Sequence, residues 1–94
     1  MWRVLESKAA SKALDRAPPE VKRKWDVWVS IVEQSGPEGL RDIKGFHDEA
    51  LSGTWQGHRS SRLNLAYRVI YWASSGTVEV LVIDVTKHDY RKRR

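Results

Sequence analysis

The chain has 94 residues, 17 of them Lys or Arg against 12 Asp or Glu, and no cysteine. A chain this short supports one hydrophobic core, so a single domain over residues 1–94 is predicted, and function has to share the scaffold that makes the core. Neither a disulfide framework nor a thiolate metal site can hold it together. No apolar run approaches the roughly 20 residues of a membrane span, and residues 2–6 lack the long apolar region of a signal peptide, which predicts a cytoplasmic protein with no membrane partner.

Trp2 to Glu6 reads as a short strand. Ser7 can cap a helix, and Ala10, Ala13, Leu14 and Ala17 follow at helical spacing until Pro18-Pro19 ends the segment. A second helix begins near Pro19 with Val21, Trp25, Trp28 and Val32 on one stripe, and Gly36-Pro37 stops it. Joined by so tight a break, the two should form an antiparallel hairpin over one face of a sheet. Trp25 and Trp28 lie on the apolar stripe, which assigns them to the core rather than to a platform for bases.

Residues 37–57 hold Pro37, Gly39, Gly45, Gly53 and Gly57 among charged residues and read as irregular chain or a short turn of helix. Three strands follow, Arg59 to Leu63, Tyr67 to Ala73 and Val78 to Val85, with Ser74-Ser75-Gly76-Thr77 as turn chemistry. The last is apolar at nearly every position, as expected of a central strand buried on both faces. The predicted fold class is α+β: an N-terminal strand, a helical hairpin, then a three-stranded antiparallel meander, making one mostly antiparallel sheet with the helices on one face. The other face is expected to be open.

The net charge of +5 is uneven. Residues 1–55 carry nine basic and nine acidic side chains, whereas residues 56–94 carry eight basic ones against Glu79, Asp84 and Asp89. A localised positive field attracts a polyanion; a solvated basic tail would have the same composition. His47, His58 and His88 have the spacing of no known metal cluster, and no nucleotide-binding or hydrolase motif is present, so no metal or cofactor is expected.

Attention therefore falls on the sheet. If Asn64-Leu65-Ala66 reverses the chain as a three-residue loop, with Asn64 tolerating the left-handed conformation, Arg62 and Arg68 become opposite neighbours. Ser60, Arg62, Arg68, Ile70 and Trp72 then share one face, and Leu63, Tyr67, Val69 and Tyr71 the other. Two facing guanidinium groups cost stability unless an anion lies between them or each pairs with a carboxylate such as Glu49 or Asp84. A loop of even length would instead set Arg59 beside Arg68.

The run Glu49-x-Leu51-x-Gly53-x-Trp55-x-Gly57-His58-Arg59-Ser60-x-Arg62-Leu63-Asn64-x-x-Tyr67-Arg68-Val69-Ile70-Tyr71, followed by a strand leading to His88-Asp89-Tyr90, resembles the RelE/ParE superfamily of toxin–antitoxin toxins. Within it the sequence is most similar to the YoeB-like, HigB-like and YafQ-like messenger RNA interferases. The resemblance covers nearly the whole chain and is strongest over residues 49–72.

It implies an endoribonuclease acting on messenger RNA in the ribosome, by attack of a ribose 2′-hydroxyl on the adjacent phosphate and without metal. Such chemistry needs a base for the 2′-hydroxyl proton, an acid for the departing 5′-oxygen and fixed cations around the five-coordinate phosphorus. The resemblance assigns Arg68 and Arg62 to the phosphate, where a guanidinium can make two parallel hydrogen bonds. It assigns Glu49 as general base, His88 as general acid and Tyr90 to orienting the base or phosphate. The YoeB-like pattern has adjacent terminal histidine and tyrosine; here Asp89 intervenes and is itself a candidate proton acceptor.

Lys44, His58, Arg59, Lys87, Arg91 and Lys92 are expected to contact messenger or ribosomal RNA, with residues 91–94 a flexible basic tail. The implied protein partner is a cognate antitoxin with an acidic or amphipathic segment. Two other functions fit the same fold: a ParE-like non-enzymatic inhibitor of DNA gyrase, and an RNA-binding module without catalysis.

Overall fold

In the computed structural model, residues 1–87 are described. The chain runs β1 (Arg3–Glu6), α1 (Lys8–Asp15), α2 (Pro19–Ser35), a short α3 (Glu38–Arg41), β2 (Glu49–Ala50), β3 (Arg59–Arg62), β4 (Arg68–Ser74) and β5 (Glu79–Thr86), with 3-10 turns at Lys44–Phe46 and Gly53–Trp55. The five strands form one sheet in the order β1-β5-β4-β3-β2. β1 pairs with β5 in parallel and the other pairings are antiparallel.

Both helices begin where the sequence places them, and α2 also ends there, whereas α1 stops at Asp15, short of Ala17. Ser7 caps α1 by accepting the Ala10 N–H at 3.0 Å, and α2 starts on Pro19, whose fixed φ suits a first helical position. α2 ends at Gly36, whose positive φ of 76° with ψ 174° is a backbone conformation open essentially to glycine. A Cβ there would lie 2.7 Å from the indole nitrogen of Trp2, so the glycine also lets β1 close against the helix end.

One core lies between the helices and one face of the sheet. Ala10 and Leu14 of α1, with Val21, Trp25, Trp28 and Val32 of α2, meet Leu63, Val69, Tyr71, Val80, Val82 and Val85. Trp25 stacks on Trp28 with ring centroids 5.2 Å apart, and Trp28 sets its edge against Tyr71 at 5.4 Å. Such pairs add about 0.5–1.5 kcal/mol beyond the area they bury. The tryptophan pair is core, as the stripe predicts.

A bulge shapes β5. Ile70 faces Asp84 and Tyr71 faces Val82, leaving Ile83 as the extra residue. Ser7 receives it: its N–H donates to the Val82 carbonyl at 2.9 Å and its hydroxyl to the Ile83 carbonyl at 2.5 Å. The bulge restores Val85 to the side of Val80 and Val82, which single alternation would deny it.

Three expectations change. β5 is central, but only Val80, Val82 and Val85 are buried, while Leu81 and Ile83 are half-covered because no helix packs on their side. The chain between the helices and β3 holds the short helical turns expected of it, α3 and two 3-10 turns, but also adds β2 as a fifth strand. The face away from the helices is not uniformly open: Ser60, Arg68 and Ile70 are buried at its centre, whereas toward β1 Leu5 and Trp72 stand 39% and 45% exposed.

Candidate functional site

The β3–β4 turn is built as the three-residue loop requires. Leu63 donates its N–H to the Tyr67 carbonyl at 2.8 Å, and the Asn64 side chain accepts from the N–H groups of Ala66 and Tyr67 at 2.8 and 2.7 Å. Asn64 thus acts through its carbonyl oxygen, closing the loop as an Asx turn. It is absent from the non-glycine residues with positive φ, which are His47 and Val78 among the described residues.

That loop fixes the register: Arg62 lies directly opposite Arg68, and Ser60 opposite Ile70. Directly opposed residues share a face, and Val69 and Tyr71, on alternate positions, point into the helix-side core. Arg62 and Arg68 therefore lie on the face away from the helices. Glu49 pairs with Ser60 and joins the same face, diagonal to Arg62 and about 7–8 Å from it between α-carbons. On the other flank Thr86 is opposite Arg68 and Asp84 opposite Ile70.

The arginines are well covered for charged groups. Arg68 is 5% exposed. The Arg62 Nε is buried with no hydrogen-bond partner among the described residues, and so are the Arg68 Nη1 and the His58 Nδ1. A buried donor left unmatched costs about 1–3 kcal/mol, and two facing cations add repulsion. An anion with several oxygens, such as phosphate, would satisfy both demands at once.

His58 stands at the start of β3, where its carbonyl accepts the Leu51 N–H and extends the β2–β3 pairing by a step. Its ring meets Trp55 edge-on at 5.5 Å. Lys87 is exposed just past β5. Lys44 is exposed too, on a turn whose Phe46 is anchored in the helix-side core beneath Lys24. His88, Tyr90, Arg91 and Lys92, with Asp89, lie outside the described residues.

Arg59 departs from its expected role. It sits opposite Tyr71, on the helix side, and its Nε donates to Asp48 at 2.7 Å. Alternation along β3 explains this: a residue odd in step with Ser60 and Arg62 must face the other way. Burial disfavours its charged form, but the hydrogen bond and charge of Asp48 outweigh that and raise its pKa.

Asp48 was not among the sequence candidates. Its carboxylate is completely buried and accepts from Arg59, from the Ser61 hydroxyl at 2.6 Å and from the Tyr71 hydroxyl at 2.6 Å. Burial first, then the Asp48 hydrogen bond and charge, push the Tyr71 pKa above the usual tyrosine range. The sequence signal was the pair of polar residues, Arg59 and Ser61, on the helix-facing positions of β3.

Comparison with solved structures decides the fold family. A chain of the archaeal RelE–RelB complex from Pyrococcus horikoshii superposes with a TM-score of 0.73 at 27% identity, over 99% of this chain and 98% of that one. YafQ from E. coli gives 0.74 at 14% identity, over 98% and 99% of the two chains. The YoeB/ParE toxin from Agrobacterium tumefaciens gives 0.73 at 16%, over 92% and 98%. The chain has the RelE-like fold that these toxins share. Neither a family model nor a curated protein matches the sequence. The RelE-like sheet accordingly presents, on its face away from the helices, the arginine pair and Glu49.

Proposed function

We propose that this chain is the toxin of a toxin–antitoxin pair and an endoribonuclease that cuts messenger RNA presented by the ribosome. The observation that carries the reading is the facing pair Arg62 and Arg68, with a buried unmatched Arg62 Nε and Glu49 on the same sheet face.

In this reading the scissile phosphate lies against Arg62 and Arg68. Glu49 takes the proton of the ribose 2′-hydroxyl as that oxygen attacks phosphorus. The O2′–P bond forms, the P–O5′ bond breaks, and a proton is delivered to the leaving 5′-oxygen, for which the sequence offers His88 with Tyr90 as orienting group. The products are a 2′,3′-cyclic phosphate and a 5′-hydroxyl. Two guanidinium groups held on a sheet before substrate arrives stabilise the extra negative charge without reorganising, which is where fixed cations contribute most.

The antitoxin would cover the same face. Leu5, Trp72 and Leu81 form an apolar strip at its β1 end, because Trp72 lies opposite Leu81 and Leu81 opposite Leu5. An amphipathic segment with apolar residues over this strip and an acidic one at Arg62 and Arg68 would match both chemistries. The similar toxins of the RelE–RelB complex and of the YoeB–YefM toxin–antitoxin complex from Staphylococcus aureus were solved together with partner chains.

The test is translation of a defined message in a cell-free system with the protein, mapping new 5′ ends. Cuts within codons that require ribosomes support the reading. Intact message refutes it, and intact message with inhibited DNA supercoiling replaces it with the gyrase-inhibitor reading.

A further inference from the structure

A buried carboxylate that the proposed reaction does not use sits one residue before Glu49. Asp48 takes hydrogen bonds from three side chains on two other strands, Arg59 and Ser61 of β3 and Tyr71 of β4. It therefore ties the β2 segment to the sheet from the helix side.

The segment needs such a tie. β2 has two residues, paired to β3 through Glu49–Ser60 and Ala50–Arg59, with the Leu51 N–H bonded one step beyond. So short an edge strand is marginal by itself. His47, immediately before Asp48, is left-handed at φ 44° and ψ 48°. For a residue with a Cβ that conformation costs on the order of 1–2 kcal/mol and persists only where the surroundings impose it. The His47 N–H donates to the Lys44 carbonyl at 2.9 Å as the 3-10 turn ends, and the three hydrogen bonds to Asp48 hold the chain that follows. Because successive side chains alternate, fixing Asp48 inward obliges Glu49 to point to the opposite face, at the height of Ser60.

We propose that Asp48 is a positioning residue for Glu49: the Asp48–Arg59–Ser61–Tyr71 cluster on the helix side holds the acid in place beside the arginine pair on the other side of the sheet. The inference rests on the reading of Glu49 as general base. Arg59, which composition alone would hand to RNA, belongs to the clamp. Its salt bridge neutralises a charge that would otherwise be buried without compensation.

The experiment measures cleavage by ribosomes programmed with a defined message, comparing kcat and KM for Asp48→Asn, Tyr71→Phe, Glu49→Gln and the double variant Asp48→Asn/Glu49→Gln. All are assayed at a temperature where circular dichroism shows each variant folded. Asp48→Asn is expected to lower kcat by about 10- to 100-fold, the scale of a displaced catalytic group, with KM within about two-fold. Tyr71→Phe, which keeps the ring in the core, lowers kcat in the same direction by less, and carries the test if Asp48→Asn does not fold. The double variant loses no more than Glu49→Gln alone.

Full kcat in folded Asp48→Asn and Tyr71→Phe, or losses that multiply in the double variant, would overturn the clamp while leaving Glu49 as base. Unaffected cleavage by Glu49→Gln would instead remove the base, and the clamp's purpose with it.

Discussion

Replacing Asp48 by alanine should be among the most damaging single changes to this fold. The substitution strips acceptors from Ser61 and Tyr71, both fully buried, and from Arg59, whose side chain is 24% exposed. Each stranded buried hydroxyl costs about 1–3 kcal/mol. Arg59 can swing toward water, so its share is discounted, and water entering the vacated space recovers part of the rest. The sum is about 2–5 kcal/mol, a large fraction of the 5–15 kcal/mol that holds an average domain together. For a chain of this size that lowers Tm by roughly 10–30 °C. Tyr71→Phe, which leaves Asp48 with two donors, should cost only about 1–2 kcal/mol. Thermal and urea unfolding followed by circular dichroism would check both values. A Tm for Asp48→Ala within a few degrees of the parent, or a larger loss for Tyr71→Phe than for Asp48→Ala, would refute the idea that the buried carboxylate organises this cluster.

Tyr71 gives an alkaline signature. Its folded pKa is raised, so its contribution is fully present below the unfolded tyrosine value of about 10 and is lost as pH rises beyond it. Absorbance titration should find Tyr71 ionising only as the chain unfolds. Val78 lies at φ 57° and is exposed, an unfavourable conformation for a β-branched residue. Val78→Gly should therefore raise stability by about 1 kcal/mol, read from the urea midpoint. Arg62→Ala should separate binding from folding. It relieves the facing-cation repulsion and leaves Tm unchanged or slightly higher, yet it weakens binding of a short single-stranded RNA and makes the salt dependence shallower by about one unit of slope.

Much of this arrangement was legible in the sequence, and the parts that were not share a cause. Helix limits followed from Ser7, Pro18-Pro19 and Gly36-Pro37, because caps and breakers act locally. The Arg62–Arg68 register followed from loop length, because a side-chain period of two leaves one choice once the turn is set. Asp48 was hidden because its three partners lie 11, 13 and 23 residues away, and the one hint, polar Arg59 and Ser61 on helix-facing positions, does not say which residue they bind. The fate of Arg59 followed from that omission: with no acceptor foreseen on the helix side, its charge suggested RNA. The bulge at Ile83 was equally invisible, since it appears only when β5 must pair with β4 and receive Ser7 together.

The central claim is that an RNA phosphate is held between two arginines on the face away from the helices. Its most direct test is ribosome-programmed cleavage by Arg68→Ala beside Arg59→Ala, each normalised to its folded fraction. Arg68→Ala is predicted to lower kcat by about 100-fold or more, as loss of a transition-state cation does, with the 5′-hydroxyl product vanishing in proportion, while Arg59→Ala, which loosens the Asp48 clamp without removing a cation from the phosphate, loses thermal stability and a smaller part of kcat. Undiminished cleavage by folded Arg68→Ala would contradict it.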